Sequence, residues 1–278
     1  MRNLYRLSLI NRFQGKLRLY NECMPSRQRS YRLEGIVLRH SDWGEADRLL
    51  TVFTREMGKL RLVAKGVRKL RSRKAGHLEP FTQVSLQVSH GRDLPIVTQA
   101  ETVNAYLPLK EDLLLLGYAS YIVELLDRFT YEEGENRLLY RLLVDTLTPL
   151  ASGDEPGRLL RYYEVRLLDL LGFRPQLFRC ARCEREIQPE DQFFSAEDGG
   201  VLCPKCGVET QQARPLSMQA LKYLRYYQRS SYAQTARAQV PPAASREMEA
   251  IMQHYLTYLL ERGLNTPAFI KRVRKVNQ

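Results

Sequence analysis

The sequence predicts an α+β multidomain protein: a small β-barrel first, then a helical domain with a cysteine-rich insert. Three observations carry that reading. Apolar residues alternate with period two up to about Tyr106 and fall into helical stripes after Leu109. Five strand-like runs with turn residues between them lie between Tyr31 and Ala105. Two C-x-x-C pairs interrupt the helical half. The expected organisation is an N-terminal extension over 1–30, a barrel over 31–109 and a helical domain over 110–278, with the cysteine module at 178–208.

The extension mixes seven basic residues with one acid, Glu22, and shows no period; Met24 and the polar run after it suggest a disordered arm or a start downstream of Met1. The first strand is expected over Arg32–Arg39, with Asp42–Glu45 as a loop and Ala46–Thr54 as the second strand. Glu56-Met57-Gly58 reads as a tight turn into a third strand, Lys59–Lys65. Phe81–Ser89 and Pro95–Ala105 complete five strands, joined at His90–Asp93. Five short strands with turns suit an OB-type barrel, and an SH3-like barrel competes with it. Beyond Leu109, Ala119, Ile122, Val123, Leu126 and Phe129 share one helix face, as do Leu160, Tyr163, Leu167, Leu168 and Leu171. Met248, Ile251, Met252, Tyr255 and Leu256 form a third stripe, and these stripes are core. Gly153–Gly157 breaks two helices, and Ser217 is placed to cap a helix over Met218–Arg229.

Charge is distributed unevenly. Residues 1–110 hold 21 Lys/Arg against 9 Asp/Glu, which is the whole of the net +12; residues 111–278 hold 22 of each. Such asymmetry points the N-terminal part at a polyanion. No apolar run approaches the ~20 residues of a membrane span, and the first residues lack a continuous apolar signal segment. A cytoplasmic protein with no membrane partner is therefore expected.

Cys180 and Cys183 are separated from Cys203 and Cys206 by nineteen residues, a spacing suited to one structural zinc ion per chain. Four thiolates close the tetrahedron and leave no position to activate water. Arg179, Arg182, Arg185 and Lys205 flank the pairs and offset their charge. Two pairs of free thiols or a dithiol redox site are the alternatives.

The run from Lys65 to Lys74 carries Lys65, Arg68, Lys69, Arg71, Arg73 and Lys74 and no acid. With Arg39, Lys59, Arg61 and Arg92 these are the candidate phosphate contacts, suited to binding with little base readout. Trp43 is the stacking candidate, Tyr31 lies nearby, and Phe53 and Phe81 fit a core position better than a stacking one. A solvated charge run is the plainer alternative for the loop. Near the C-terminus, Lys271–Lys275 reads either as a frayed basic end or as the rim of a groove for an acidic, apolar peptide. No nucleotide-binding, hydrolase or metalloprotease signature occurs, so no enzymatic activity is expected. Glu45 and Asp47, on one face of an alternating strand, leave a metal-dependent nuclease open, and an RNA-binding OB protein is a second alternative.

Gly35–Arg39, Gly44–Arg48, Thr54–Lys59 and Ala64–Arg68 stand in the order found in a known family, as do Leu78–Phe81, Thr98–Glu101 and Leu171–Pro175. This set, within residues 31 to about 275, resembles the bacterial recombination mediator RecO. The resemblance implies an OB-fold barrel, an all-helical C-terminal domain and a zinc module. It further implies binding of single- and double-stranded DNA, strand annealing, and loading of RecA onto strands coated by single-strand-binding protein. The implied partners are RecR and that protein's acidic C-terminal tail.

Overall fold

The computed structural model describes residues 30–132, 134 and 136–276; the expectations for residues 1–29 fall outside the described residues. Five strands, β1 (Ser30–Trp43), β2 (Asp47–Thr54), β3 (Gly58–Ala64), β4 (Gln83–Ser89) and β5 (Ile96–Asn104), close a barrel in the order β1-β2-β3-β5-β4. β1 is long enough to pair antiparallel with β4 through its first half and with β2 through its second. A register shift between Val37 and Arg39 bends it from one partner toward the other. β5 enters between β3 and β4, meeting β3 in parallel at Val63 and Ile96. A simple five-strand meander would have placed β4 beside β3. The observed order therefore favours the OB reading.

Strict alternation in β4 sends Val84, Leu86 and Val88 inward, where they meet Val37, Leu50 and Leu62. The opposite face of β1 and β2 is covered in its middle. Ile36, Leu38, Phe53, Phe81 and Tyr106 pack with the apolar residues of the helical half. Phe53 and Phe81 are thus buried, as expected, but in the seam between barrel and helices. Neither is available to stack on a base. Phe81 does not begin β4; its backbone is left-handed (φ 66°), and its N–H donates to the Val37 carbonyl at 2.7 Å. Asp42 and Trp43 belong to β1, which shrinks the expected loop to a tight turn around Gly44 (φ 59°).

The helical half contains α1 (Leu113–Phe129), α2 (Arg137–Ala151), α3 (Pro156–Leu170), α4 (Met218–Arg229), α5 (Pro242–Leu260) and α6 (Thr266–Val276), with shorter turns between them. Asp112, Asn136, Glu155 and Ser217 cap the first four with side-chain oxygens on free backbone N–H groups. The predicted apolar stripes line the interior: Ile122, Leu126, Tyr163, Leu167, Met252 and Leu256 are all buried. α6 is an ordered helix, with Ile270 and Val273 buried, not a frayed end. The half is also not purely helical. β6 (Gln192–Ser195), β7 (Gly200–Leu202) and β8 (Arg214–Leu216) form an antiparallel sheet in the order β7-β6-β8. β8 lies past residue 208 and completes this sheet by pairing with β6. Among the described residues no helix is long and apolar enough to cross a membrane.

Candidate nucleic-acid interface and metal centre

The basic segment after β3 is pinned at both ends. Val67 is buried in the barrel interior, and Leu78, in a single 3₁₀ turn over Ala75–Leu78, is buried beside it. The Asp47 carboxylate accepts the Gly66 N–H at 2.7 Å, and Arg68 N–H donates to the Ala46 carbonyl. Successive turns link Lys69 N–H to Gly66 O and Ser72 N–H to Lys69 O. The backbone of this segment is therefore held in place by the barrel.

Those side chains divide into two groups. Lys65, Lys69, Arg71, Arg73 and Arg92 are exposed and make no hydrogen bond or ion pair among the described residues. The others are engaged. Lys59 is 10% exposed at its side chain, and its ammonium donates to Asp127 Oδ1 at 3.0 Å and to the Asp127 carbonyl at 2.6 Å. Arg39 donates to the same carboxylate at 3.1 Å. Arg61 pairs with Glu132 and Arg68 with Asp42, both at partly exposed positions. Lys74 donates to the Val97 carbonyl at 2.9 Å, and burial pushes its ammonium below the usual lysine range. Lys59 is accordingly a bolt between β3 and α1, not a surface charge. Arg39, Arg61, Arg68 and Lys74 reach a phosphate only by giving up a partner.

Trp43 stands at the tip of the β1–β2 hairpin, opposite Asp47, and is 50% exposed. Tyr31 stacks with His90 at 5.4 Å. Leu70, which the sequence reading passed over, is fully exposed between Lys69 and Arg71. Its signal in the sequence was an isolated leucine in an otherwise polar run.

Glu45 sits in the exposed turn rather than on a strand, and Asp47 is committed to Gly66. Among the described residues, the group with metal-ligand geometry is the four cysteines. This removes the paired-carboxylate observation on which the nuclease alternative rested.

The four sulfurs all lie within 4.8 Å of one another, with Cys183 and Cys203 at 3.8 Å. Four thiolates at about 2.3 Å from one ion would stand about 3.8 Å apart along each tetrahedral edge, so the donor set fits. The first knuckle closes through Cys180 N–H to the Arg185 carbonyl and Glu184 N–H to the Cys180 carbonyl. Glu184 takes a left-handed φ of 59° to make that turn. The second pair opens the single helical turn Pro204–Val208. Arg185 donates to Cys183 Sγ at 3.4 Å and, with backbone donors, holds that thiol down to about 6. Burial pushes Cys206 up to about 12. Cys180 and Cys206 are buried, and Cys183 and Cys203 are partly exposed.

Comparison with known proteins agrees with this architecture. The family model for the recombination protein O N-terminal domain matches residues 28–106, and that for its C-terminal domain matches 110–268. The DNA repair protein RecO of Roseiflexus sp. (strain RS-1) is 42% identical over 250 residues, covering 90% of this chain and 88% of that protein. The RecO proteins of Desulforamulus reducens and Bacillus pumilus are each 34% identical, over 89% and 88% of this chain and 96% and 95% of their own lengths. With a closed five-stranded barrel, a helical half and a four-cysteine cluster matched along nearly their whole length, the chain belongs to the RecO family of DNA repair proteins.

Proposed function

We propose that this protein is a recombination mediator. It binds single- and double-stranded DNA through the barrel, anneals complementary strands and, with RecR, helps to load RecA onto DNA coated by single-strand-binding protein. The observation that carries this is the set of unpaired cations, Lys65, Lys69, Arg71 and Arg73, held on a pinned backbone beside exposed Trp43 and Leu70. Unpaired charges attract phosphate without first breaking an ion pair, and contacts to phosphate carry no sequence preference. Annealing needs that indifference, because any two complementary strands must be accepted. A strand-annealing assay on DNA coated with single-strand-binding protein tests the reading; failure to accelerate annealing at physiological salt overturns it.

The acidic tail of single-strand-binding protein suits a cavity of about 340 Å³ between α1, α3, α5 and α6. Tyr118, Leu160 and Ile270 give it apolar walls, and Arg246, Lys271 and Arg274 line it with cations, the last paired with Glu249 at 3.6 Å. An apolar slot edged by cations matches a peptide of mixed acidic and apolar character.

Zinc is the metal that four closely set cysteines suit best, and it would act structurally. Elemental analysis should find one zinc per chain. Cys180→Ser or a strong chelator should unfold the module and lower the thermal midpoint, while single-strand affinity of the soluble fraction changes little. Metal-free protein with an unchanged midpoint overturns this assignment.

A further inference from the structure

The helical half is neutral only as a sum. From Thr210 to Arg246 there are six Lys or Arg residues and no Asp or Glu. Three of the six, Lys222, Arg225 and Arg229, are spaced three and four apart on α4 and share one face of that helix. The face lies against the first cysteine knuckle. Arg229 sits 3.8 Å above the Phe178 ring, and Arg225 sits 5.0 Å from the same ring. Arg225 is held there by donating its Nε–H to the Leu177 carbonyl at 2.8 Å. Arg179, next along the chain, is exposed beside them.

Two guanidinium groups on one ring repel each other. Burial, and then the Arg229 charge, lower the Arg225 affinity for its proton. Folded proteins normally relieve such crowding with a carboxylate. Here Glu186 is the acid whose field reaches Arg225, and among the described residues no ion pair forms to Arg179, Lys222, Arg225 or Arg229. The cations are instead held in place by a ring and a carbonyl, with their outward donors unused. Arginine planes stacked on an aromatic ring, with a lysine one turn away, present a row of donors at the spacing of a helix face. A backbone phosphate chain fits such a row, because its evenly spaced anionic oxygens can accept from successive guanidinium and ammonium groups without complementary side chains.

We propose that the α4 face with the cysteine knuckle is a second nucleic-acid surface, one that takes the backbone of a second strand while the barrel loop holds the first. This rests on the reading of the barrel loop as the first DNA surface. It assigns the knuckle a purpose beyond stapling: it presents Phe178 and Arg179 to α4. Annealing would then use one strand on each surface of a single chain.

The test compares three full-length proteins: wild type, Lys222→Gln/Arg229→Gln and Arg71→Glu/Arg73→Glu. Neither Lys222 nor Arg229 makes a hydrogen bond among the described residues, so the fold should be retained, as thermal midpoint and zinc content will report. The α4 variant should bind one labelled strand as wild type does, yet anneal complementary strands about tenfold more slowly at physiological salt. The salt slope for annealing should fall by up to about 1.4, near 0.7 for each lost phosphate contact. Restoring charge with Lys222→Arg/Arg229→Lys should restore the rate. Wild-type annealing by the Gln variant overturns the proposal and leaves the α4 face to a protein partner or to the fold alone. If instead the loop variant anneals normally and only the α4 variant fails, the loop reading falls and the α4 surface stands. Should the double variant lose its thermal transition, Lys222→Gln alone gives the same reading with half the slope change.

Discussion

Lys59 and Lys69 carry the same charge on neighbouring segments of one barrel, and their surroundings give them opposite uses. Lys59 lies in the seam, where Asp127 takes its charge and α1 covers its stem. Lys69 stands on a pinned turn, and its side chain makes no hydrogen bond or ion pair among the described residues. The seam spends cations on holding two domains in one orientation. The loop spends its anchors, Val67, Leu78 and Asp47, on keeping cations unspent. A seam charge is expected to matter to stability and little to DNA, and a loop charge the reverse.

The largest stability effect should come from the apolar part of the seam. Phe53 is fully buried between Ile36, Leu38 and the helical core. Phe53→Ala should cost about 3–5 kcal/mol, measured by denaturant unfolding, because the cavity lies between two packed bodies and collapses poorly. A cost below about 1 kcal/mol would mean that the barrel and helices do not depend on each other. Next comes the polar bolt. Asp127→Ala leaves Lys59 nearly buried without its carboxylate and frees Arg39. About 2–3 kcal/mol should be lost, less than for a fully buried pair because Asp127 keeps some solvent. Affinity for single strands should stay level or rise slightly, since Arg39 becomes available to phosphate. A fall in affinity with an unchanged fold would show that the seam cations serve DNA after all.

The difference between these two groups also marks the limit of what the sequence makes legible. The five barrel strands, the three apolar helix stripes, the Ser217 cap and the cysteine quartet follow from local periodicity and spacing, whereas the small sheet β6–β8 and the helix α2 are not among the elements read that way. Phe53 and Phe81 are recognisable as buried, because an aromatic among alternating apolar residues belongs inside. That they face the helices and not the barrel interior depends on packing between distant segments. The same applies to Lys59: its partner is 68 residues away, and no periodicity links them. Arg161 and Glu164 make the point more strongly. As charged residues both would be expected in water, and only Glu164's place four residues from Leu160 and Leu168 puts it on the apolar stripe of α3; both are buried, paired at 2.6 Å, with the Tyr121 hydroxyl donating to the same carboxylate oxygen. The cluster on α4 was hidden for another reason. Averaging charge over the C-terminal residues cancels a positive stretch against acids that lie elsewhere in the chain.

The smallest stability effect, and the largest expected effect on DNA, belongs to the loop. Arg71 and Arg73 are exposed, outside both cores and without an ion pair among the described residues. Reversing both to Glu should move unfolding by less than about 0.5 kcal/mol, since nothing in the folded state leans on them. If they contact phosphate, each acts as an independent charge. Affinity should then fall for all sequences alike, and neutralising either one alone should lower the single-strand salt slope by up to about 0.7. Annealing at physiological salt should be suppressed in the reversed variant. Lys59→Met supplies the contrasting control, with a clear stability loss and an unchanged salt slope, because Lys59 already has its counterion in Asp127. If both variants leave the slope unchanged, the loop cations are only a solvated surface, and the first strand must be sought around Trp43 and Arg92, which are exposed at the barrel ends. If both variants lower it equally, the ion pair in the seam opens when DNA binds, and the division between structural and binding cations is one of degree.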